Sequence, residues 1–479
     1  MSTDREDAVS SDPSALFPTK YLPRPEVRDL PPPPTNYWRY VGPGIIAAGV
    51  GMATGEFILF PYIASQIGLG FVWAALVGLI TQYYLNMEIE RYTLATGETA
   101  LTGFSRLWRH WGLVFALLCY FGNLWPAWVT SSATLLSYAV GGSAPVIAVV
   151  MLLVIGLILT LAPVVYNALE RAQVVKVTAV VVLIVVGALV AIGPAWADSP
   201  QMITQMQFPV AELGFAVLMG ALAFAGAGGG QNLVQSNWIR DKGFGMGRYV
   251  PKIVSPLTGE PEARGRVGFV FTPTEENLTR WRGWWRFANR EQLYTFVLIS
   301  FLSIVFMSLL AYGTVFGHPE VENSVSFLQI EGNVLMERVG VWFGYFFWII
   351  GALSLFAAAL GIVDYTSRLA ADVLKTNYFP EVSESKLYAG LVWGLSLLGI
   401  VVISVGVSQP IVLAVIAACT AGTMMFVYSG LLIVINRKML PVEIRITTGR
   451  MVALGWSVLL FGVLAVLTLF QQVGRLLGG

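Results

Sequence analysis

Eleven apolar stretches, each of roughly 20 residues or more, run along this chain at approximately 41–66, 69–90, 112–140, 145–166, 174–196, 210–238, 292–316, 338–363, 386–406, 409–436 and 451–473. A helix of about 20 residues crosses the ~30 Å hydrocarbon core of a bilayer. In that medium every backbone N–H and C=O must be bonded within the chain, so only helices and closed barrels can span it. Stretches of this length select helices. Composition agrees: 56% of the residues are hydrophobic and 12% charged, against about 25% charged in an average soluble domain. The expected fold class is an all-α polytopic membrane protein seated in the lipid bilayer.

The connecting links predict orientation. Lys and Arg crowd the N-terminal tail (Lys20, Arg24, Arg28, Arg39), the 2–3 link (Arg91, Arg106, Arg109), the 4–5 link (Arg171, Lys176), the 6–7 link (Arg240, Lys242, Arg248, Arg280), the 8–9 link (Arg368, Lys375) and the 10–11 link (Arg437, Lys438, Arg445). The alternate links "QIGLG", "WADSPQMITQMQ" and "GHPEVENSVSFLQIEGN" carry none. By the positive-inside rule the N-terminus is cytoplasmic, and eleven spans put the C-terminus outside. Residues 1–40 lack the basic-then-apolar layout of a cleaved signal peptide and form a polar, proline-rich cytoplasmic tail. With no organelle-targeting features, a prokaryotic plasma membrane is expected.

Other classes find no support. A net charge of +1 gives no hint of nucleic acid, and Cys119 and Cys419 lie inside apolar runs where a disulfide has no purpose. No Cys/His cluster and no GxxxxGK[ST] loop is present, so no cofactor and no enzyme activity is expected. The long 6–7 link, about 239–291, mixes four arginines with three tryptophans in "RWRGWWRFANREQ". That mixture suits an in-plane amphipathic helix at the headgroups, or a solvated loop folded back on the bundle.

Two spans carry interruptions. Span 1 has Gly49, Gly51, Gly55 and Pro61 around "MATGE", with the carboxylate of Glu56 in the middle. A charged group at mid-bilayer costs roughly 2.5–3.5 kcal/mol even on lenient scales. Span 6 has Gly226, Gly228, Gly229 and Gly230 ahead of Gln231, Asn232, Gln235 and Ser236, and each glycine costs a helix about 1 kcal/mol relative to Ala. Freed backbone cannot face lipid, so both breaks must line a cavity or be buried in protein. Breaks five spans apart fit two inverted five-helix repeats whose discontinuous first helices meet at a midplane site. On this reading spans 1–5 (41–196) and spans 6–10 (210–436) are the repeats and 451–473 is an eleventh helix. The competing reading is that the glycines are small-residue packing contacts and Glu56 pairs with a buried partner.

The run "GPGIIAAGVGMATGEF" resembles the first helix of the Nramp divalent-metal transporters, GPxxxAAxxxxDPGNF. "EIERYTLATGETA", "ALERAQVVKV" and "SQPIVLAVIAA" resemble that family too. The likeness covers roughly 40–473 apart from the long 6–7 loop, and implies a LeuT-like fold of two inverted five-helix repeats plus an eleventh helix. Carried over residue by residue, the family's Asp-Pro-Gly-Asn falls on Ala53, Thr54, Gly55 and Glu56, and its Met-Pro-His-Asn on Gly229, Gly230, Gln231 and Asn232. Its backbone ligand falls on Gly226. The aspartate, methionine and histidine of the family pattern are therefore absent here.

This substitution changes the expected chemistry. A thioether favours soft or borderline metals, whereas an oxygen-only site suits Mg, Ca or Mn. The implied donors are the Glu56 carboxylate, the carbonyls of Ala53 and Gly226, and the Gln231 amide, with Thr54, Gly55, Gly229 and Asn232 completing the site. Loss of a bulky side chain at Gly229 leaves room for a partly hydrated ion, and Mg²⁺ dehydrates reluctantly. The expected function is a secondary transporter of a hard divalent cation such as Mg²⁺ or Mn²⁺. A small organic solute on the same scaffold and a non-transporting receptor or scaffold are the alternatives. Only His110 and His318 are present, both at span ends or in loops, so no histidine relays protons through the core and transport is not expected to be proton-coupled. Glu88, Glu90 and Asp364 are expected to pair with Arg91 and Arg368 at the cytoplasmic boundary. The topology predicts that a tag placed after Gly479 is reached by a membrane-impermeant probe from outside the cell, and one before Met1 only after permeabilisation; both ends on one side would remove the eleven-span arrangement.

Overall fold

The computed structural model describes residues 12–36, 41–193, 195–257, 268–318, 326–406 and 410–476. Among these, ten helices are long and apolar enough to cross a membrane. The remaining crossing is span 6, made of two shorter helices, Val210–Ala223 (6a) and Gly230–Lys242 (6b). The chain is an integral membrane protein.

Span 1 is also broken, into Pro43–Gly51 (1a), a π-turn Thr54–Leu59 and Phe60–Ile67 (1b). Spans 2, 4 and 5 are the unbroken helices Trp73–Thr96, Ala144–Leu161 and Val165–Val190. Span 3 has an interruption that the residue pattern did not predict: Trp111–Asn123 and Ala127–Val140 meet at Pro126, which has no N–H to continue the first helix. Span 7 (Gln292–Leu298, then Ile299–Val315) continues directly from a helix Glu275–Glu291, and spans 8 to 11 are Val341–Asn377, Glu384–Ser404, Pro410–Lys438 and Thr448–Leu476. The first two residues of "SQPIVLAVIAA" lie outside the described residues.

Burial separates inner from outer helices. Span 1 is 89% buried over its most apolar window, whereas spans 5, 9 and 11 are 33%, 33% and 28% buried, so the latter present apolar faces to lipid. Span 8 is central and touches spans 1, 3, 5, 6 and 9. Helix 1b packs on Ile299–Val315 of span 7, and 6a on spans 10 and 11.

The basic links gather at one end of the bundle. Arg368 bonds Asp241 and, at 2.9 Å, Asp364, tying span 8 to 6b. Arg240 reaches Asp372 at 2.9 Å and Glu384 at 3.5 Å. Arg91 pairs with Glu88 at 2.8 Å, as expected, and Arg368 with Asp364. Glu90 is a correction: it is buried, neither oxygen has a hydrogen-bond partner, and it does not pair with arginine. Lys176 is a second correction, because it lies inside span 5, 4% exposed, and not in the 4–5 link. A third concerns the 7–8 connection, which does carry a basic residue: Arg338 ends a separate helix, Phe327–Arg338, and donates to Gly313 O at 2.7 Å.

The described part of the N-terminal tail is docked on this same end. Strand β1 (Glu26–Val27) pairs in parallel with β2 (Phe269–Val270) from the 6–7 link. Trp284 Nε1 donates to Pro31 O at 2.8 Å and Arg280 to Leu30 O at 2.7 Å, so the Arg/Trp-rich segment is a helix whose apolar face covers the tail. Arg106, on the short helix Ala100–Leu107, donates to Pro18 O, Pro23 O and the buried carboxylate of Glu98. Removing one partner of a buried pair costs about 3–5 kcal/mol. Arg106→Met is therefore expected to destabilise this end by about 3 kcal/mol and to release the tail. Limited trypsinolysis at Lys20 and Arg28 should accelerate in the variant; an unchanged cleavage rate would show that the tail is held by other contacts.

Candidate functional site

The breaks in spans 1 and 6 cross at backbone contact. A Cβ on Gly51 would stand 1.5 Å from Gly226 O, and one on Gly55 1.8 Å from Phe224 O. Only glycine allows two main chains to approach so closely. Gly226 and Gly229 have φ of +98° and +52°, conformations that side chains other than glycine's disfavour, and they turn the chain from 6a into 6b. The two glycine clusters are thus packing contacts and cavity-forming breaks at once.

A half-helix that stops in mid-membrane leaves carbonyls without partners at its C-terminal end. Here side chains supply them. Lys176 Nζ donates to Gly49 O and, at 2.8 Å, to Met52 O at the end of 1a. Gln231 Nε2 donates to Ala47 O at 2.7 Å. On the other half, Gln82 Nε2 donates to Leu222 O and Ala223 O at the end of 6a, and Gln82 Oε1 accepts from the Ala227 amide at 2.8 Å.

A cavity of about 20 Å³ lies at the crossing, room for about one water molecule. Val50, Gly51 and Thr54 of span 1, Asn123 and Trp128 beside the span 3 break, Phe224, Gly226 and Gln231 of span 6, and Tyr365 of span 8 are among its walls. A second space of about 10 Å³ adjoins it through Asn123, Phe224, Tyr365 and Ala417.

The expected site residues divide. Thr54, Gly226 and Gln231 line the cavity. Gly55 is pressed on Phe224 O, and Gly229 caps 6b against Ala421. Ala53 O accepts from the Phe57 amide at 3.1 Å, within the first turn of 1b. Asn232 is turned into a separate buried network, donating to Asn86 Oδ1 at 2.7 Å and accepting from Tyr428 OH at 3.0 Å. Glu56 is not among the residues lining the cavity. It is fully buried in the π-turn Thr54–Leu59 that leads into 1b, and neither carboxylate oxygen has a hydrogen-bond partner. The Gly226 backbone and Ser300 of span 7 are nearby without closing a hydrogen bond, and Lys176 is the basic group whose charge acts on it.

Four functional positions escaped the sequence reading: Lys176, Gln82, Asn123 and Trp128. Lys176 and Gln82 had a readable signal, a lone polar residue within an apolar run ("QVVKVTAVVV", "GLITQYYL"). Asn123 and Trp128 had a weaker one in "NLWPAW", where Pro126 marks the break. Among the described residues no group of three or more His, Cys, Asp or Glu is placed to hold a metal ion, so any cation held here would depend on one carboxylate and neutral oxygens.

No protein-family profile matches the chain, and no curated protein matches it in sequence. Solved structures do. A manganese transporter of Eremococcus coleocola carrying a His-to-Ala substitution superposes with a TM-score of 0.67 at 11% identity, over 95% of this chain and 91% of that one. The same transporter in complex with an aromatic bis-isothiourea substituted compound gives 0.68 at 12% identity, over 97% and 92%. Mhp1, a nucleobase-cation-symport-1 family transporter in a closed conformation with bromovinylhydantoin bound, gives 0.54 at 12% identity, over 91% and 92%. With its two broken helices crossing at the centre of the bundle, this chain has the LeuT-type fold of the Nramp-type manganese transporters.

Proposed function

We propose that this protein is a secondary transporter that moves a hard divalent cation, Mg²⁺ or Mn²⁺, by alternating access at the crossing of spans 1 and 6. The observation that carries this reading is Glu56: a wholly buried carboxylate, both oxygens unpartnered, beside the Gly226 backbone where the two breaks meet. A buried anion without hydrogen bonds is costly unless something positive joins it. Apart from Lys176 at the end of 1a, the polar groups around the crossing are oxygens or neutral amides, with Thr54 and Gln231 at the cavity and Ser300 behind Glu56. This donor set suits hard cations, and about 20 Å³ of free space admits an ion with little of its water, less than the partly hydrated ion expected from Gly229 and a better fit to Mn²⁺ than to the reluctantly dehydrating Mg²⁺. The structural neighbours named as manganese transporters agree with a dication.

Coupling to protons lacks a relay. His110, at the start of span 3, bonds Tyr378 OH at 2.6 Å in an exposed position, and His318 follows the end of span 7. Transport down the cation's own gradient follows from this reading. One observation favours a different substrate: the cavity wall itself is neutral and partly aromatic, with Trp128 Nε1 lacking a partner and Tyr365 opposite. Such a lining suits a small organic solute that accepts a hydrogen bond.

Glu56→Gln separates the two. It keeps the shape of the side chain and removes its charge, and screening is weak at a buried site. Cation uptake into proteoliposomes, measured per mole of folded protein because the variant also removes the charge opposite Lys176, is expected to fall at least tenfold, the equivalent of about 1.4 kcal/mol. Retention of the original Mn²⁺ and Mg²⁺ rates would make Glu56 structural and favour the organic solute. In the same vesicles a lumenal pH dye should stay flat during cation uptake; stoichiometric acidification would overturn the uncoupled mechanism.

A further inference from the structure

The C-terminal end of a broken membrane helix carries partial negative charge and unbonded carbonyls, and in transporters of this build it commonly seats a small cation. The end of 1a has that form, but it is filled from within. Lys176 Nζ of span 5 bonds Gly49 O and Met52 O, and Ser354 Oγ of span 8 lies 3.4 Å from the same Met52 O. Next to it on span 5, Gln173 Nε2 bonds Ala357 O of span 8 at 2.7 Å, so spans 1, 5 and 8 close around the ammonium.

A neutral amide would have been enough to satisfy these carbonyls. Gln231 does so at Ala47, and Gln82 does so at Leu222 and Ala223. The charged cap stands only at the 1a end, where Glu56 supplies the opposite charge acting on it. A buried lysine in a membrane helix is expensive, yet it stands here where an amide would supply the same donors.

We propose that Lys176 is a tethered cation occupying an alkali-cation site built from the Gly49 and Met52 carbonyls and the Ser354 hydroxyl, so that span 1a closes on spans 5 and 8 without sodium. The vacated site would consist of neutral hard oxygens with one carboxylate nearby, which fits a monovalent ion of the same charge as the ammonium it replaces. This inference adds to the transport reading that sodium is not needed at the end of 1a, but its geometry does not depend on which substrate is carried.

The test therefore reads cation binding rather than transport. The full-length protein, purified in detergent, is unfolded by heat in sodium chloride and in choline chloride at equal ionic strength. Wild type should unfold at the same temperature in both. Lys176→Ala should unfold earlier in choline and recover with sodium along a saturating curve, because a ligand bound only by the folded state stabilises it in proportion to its occupancy. Lys176→Met keeps the apolar stem in place in case the alanine variant folds poorly, and should respond to sodium in the same way. Adding Ser354→Ala to either variant should weaken the sodium response several-fold. Sodium stabilisation of the wild type, or indifference to sodium in both Lys176 variants, would overturn the proposal. Either result leaves the cation-uptake test at Glu56 intact, and a failure of that test leaves this one intact.

Discussion

The structure depends on two main chains touching where no side chain could fit between them. Gly51 against Gly226 O and Gly55 against Phe224 O fix how spans 1 and 6 cross. Each other feature of the centre follows from that contact. The breaks free carbonyls and amides that lipid could not satisfy, so protein must surround them. Span 1 is accordingly the most enclosed of the long apolar helices. Spans 5, 7 and 8 close around span 1 and spans 2, 8 and 10 around span 6, and span 2 and span 5 each contribute one polar side chain aimed at a broken helix end, Gln82 and Lys176.

Those two caps are not equivalent. Gln82 both donates to the end of 6a and accepts from the Ala227 amide, so it bridges the 6a–6b break with a closed set of neutral bonds. Lys176 can only donate, and it brings a charge that Glu56 balances across the turn from 1a to 1b. The break in span 6 is thus closed by neutral hydrogen bonds, while the end of 1a is capped by hydrogen bonds from a side chain that can carry charge opposite Glu56.

The sequence exposed those parts of this design that rest on local chemistry. Apolar runs of about 20 residues mark the spans because lipid imposes length and hydropathy together, and the glycine clusters mark the breaks because helices reject three glycines in a row. Orientation of side chains was not legible. Glu56 and Asn232 were expected to face one site, yet Asn232 turns to Asn86 and Tyr428, and Glu56 turns toward Ser300. A motif places residues along a chain, whereas the π-turn at Thr54–Leu59 alters which face each side chain takes. Lys176 was misread for a related reason: a basic residue near a predicted span boundary looks like a loop anchor unless the helix is known to begin at Val165, eleven residues earlier.

The ionic end of the bundle constrains how the centre can move. Asp241 and Arg240 lie at the end of 6b, and their partners Arg368, Asp372 and Glu384 lie on spans 8 and 9, with Asp364 holding Arg368 from within span 8. Tyr388 OH adds a bond to Asp364 at 2.8 Å, and Thr99 one to Asp372 at 2.7 Å. Buried pairs like these add little net stability, because desolvation offsets attraction, but breaking one without water is strongly unfavourable. Rocking 6b away from span 8 is therefore possible only if water enters as the pairs part. The docked tail bears on that step, since Arg106 holds it at Pro18 and Pro23 while its strand pairs with the 6–7 link that leads out of 6b. Any parting of 6b from span 8 would require the ion pairs to hydrate and the tail and 6–7 link either to move with 6b or to separate.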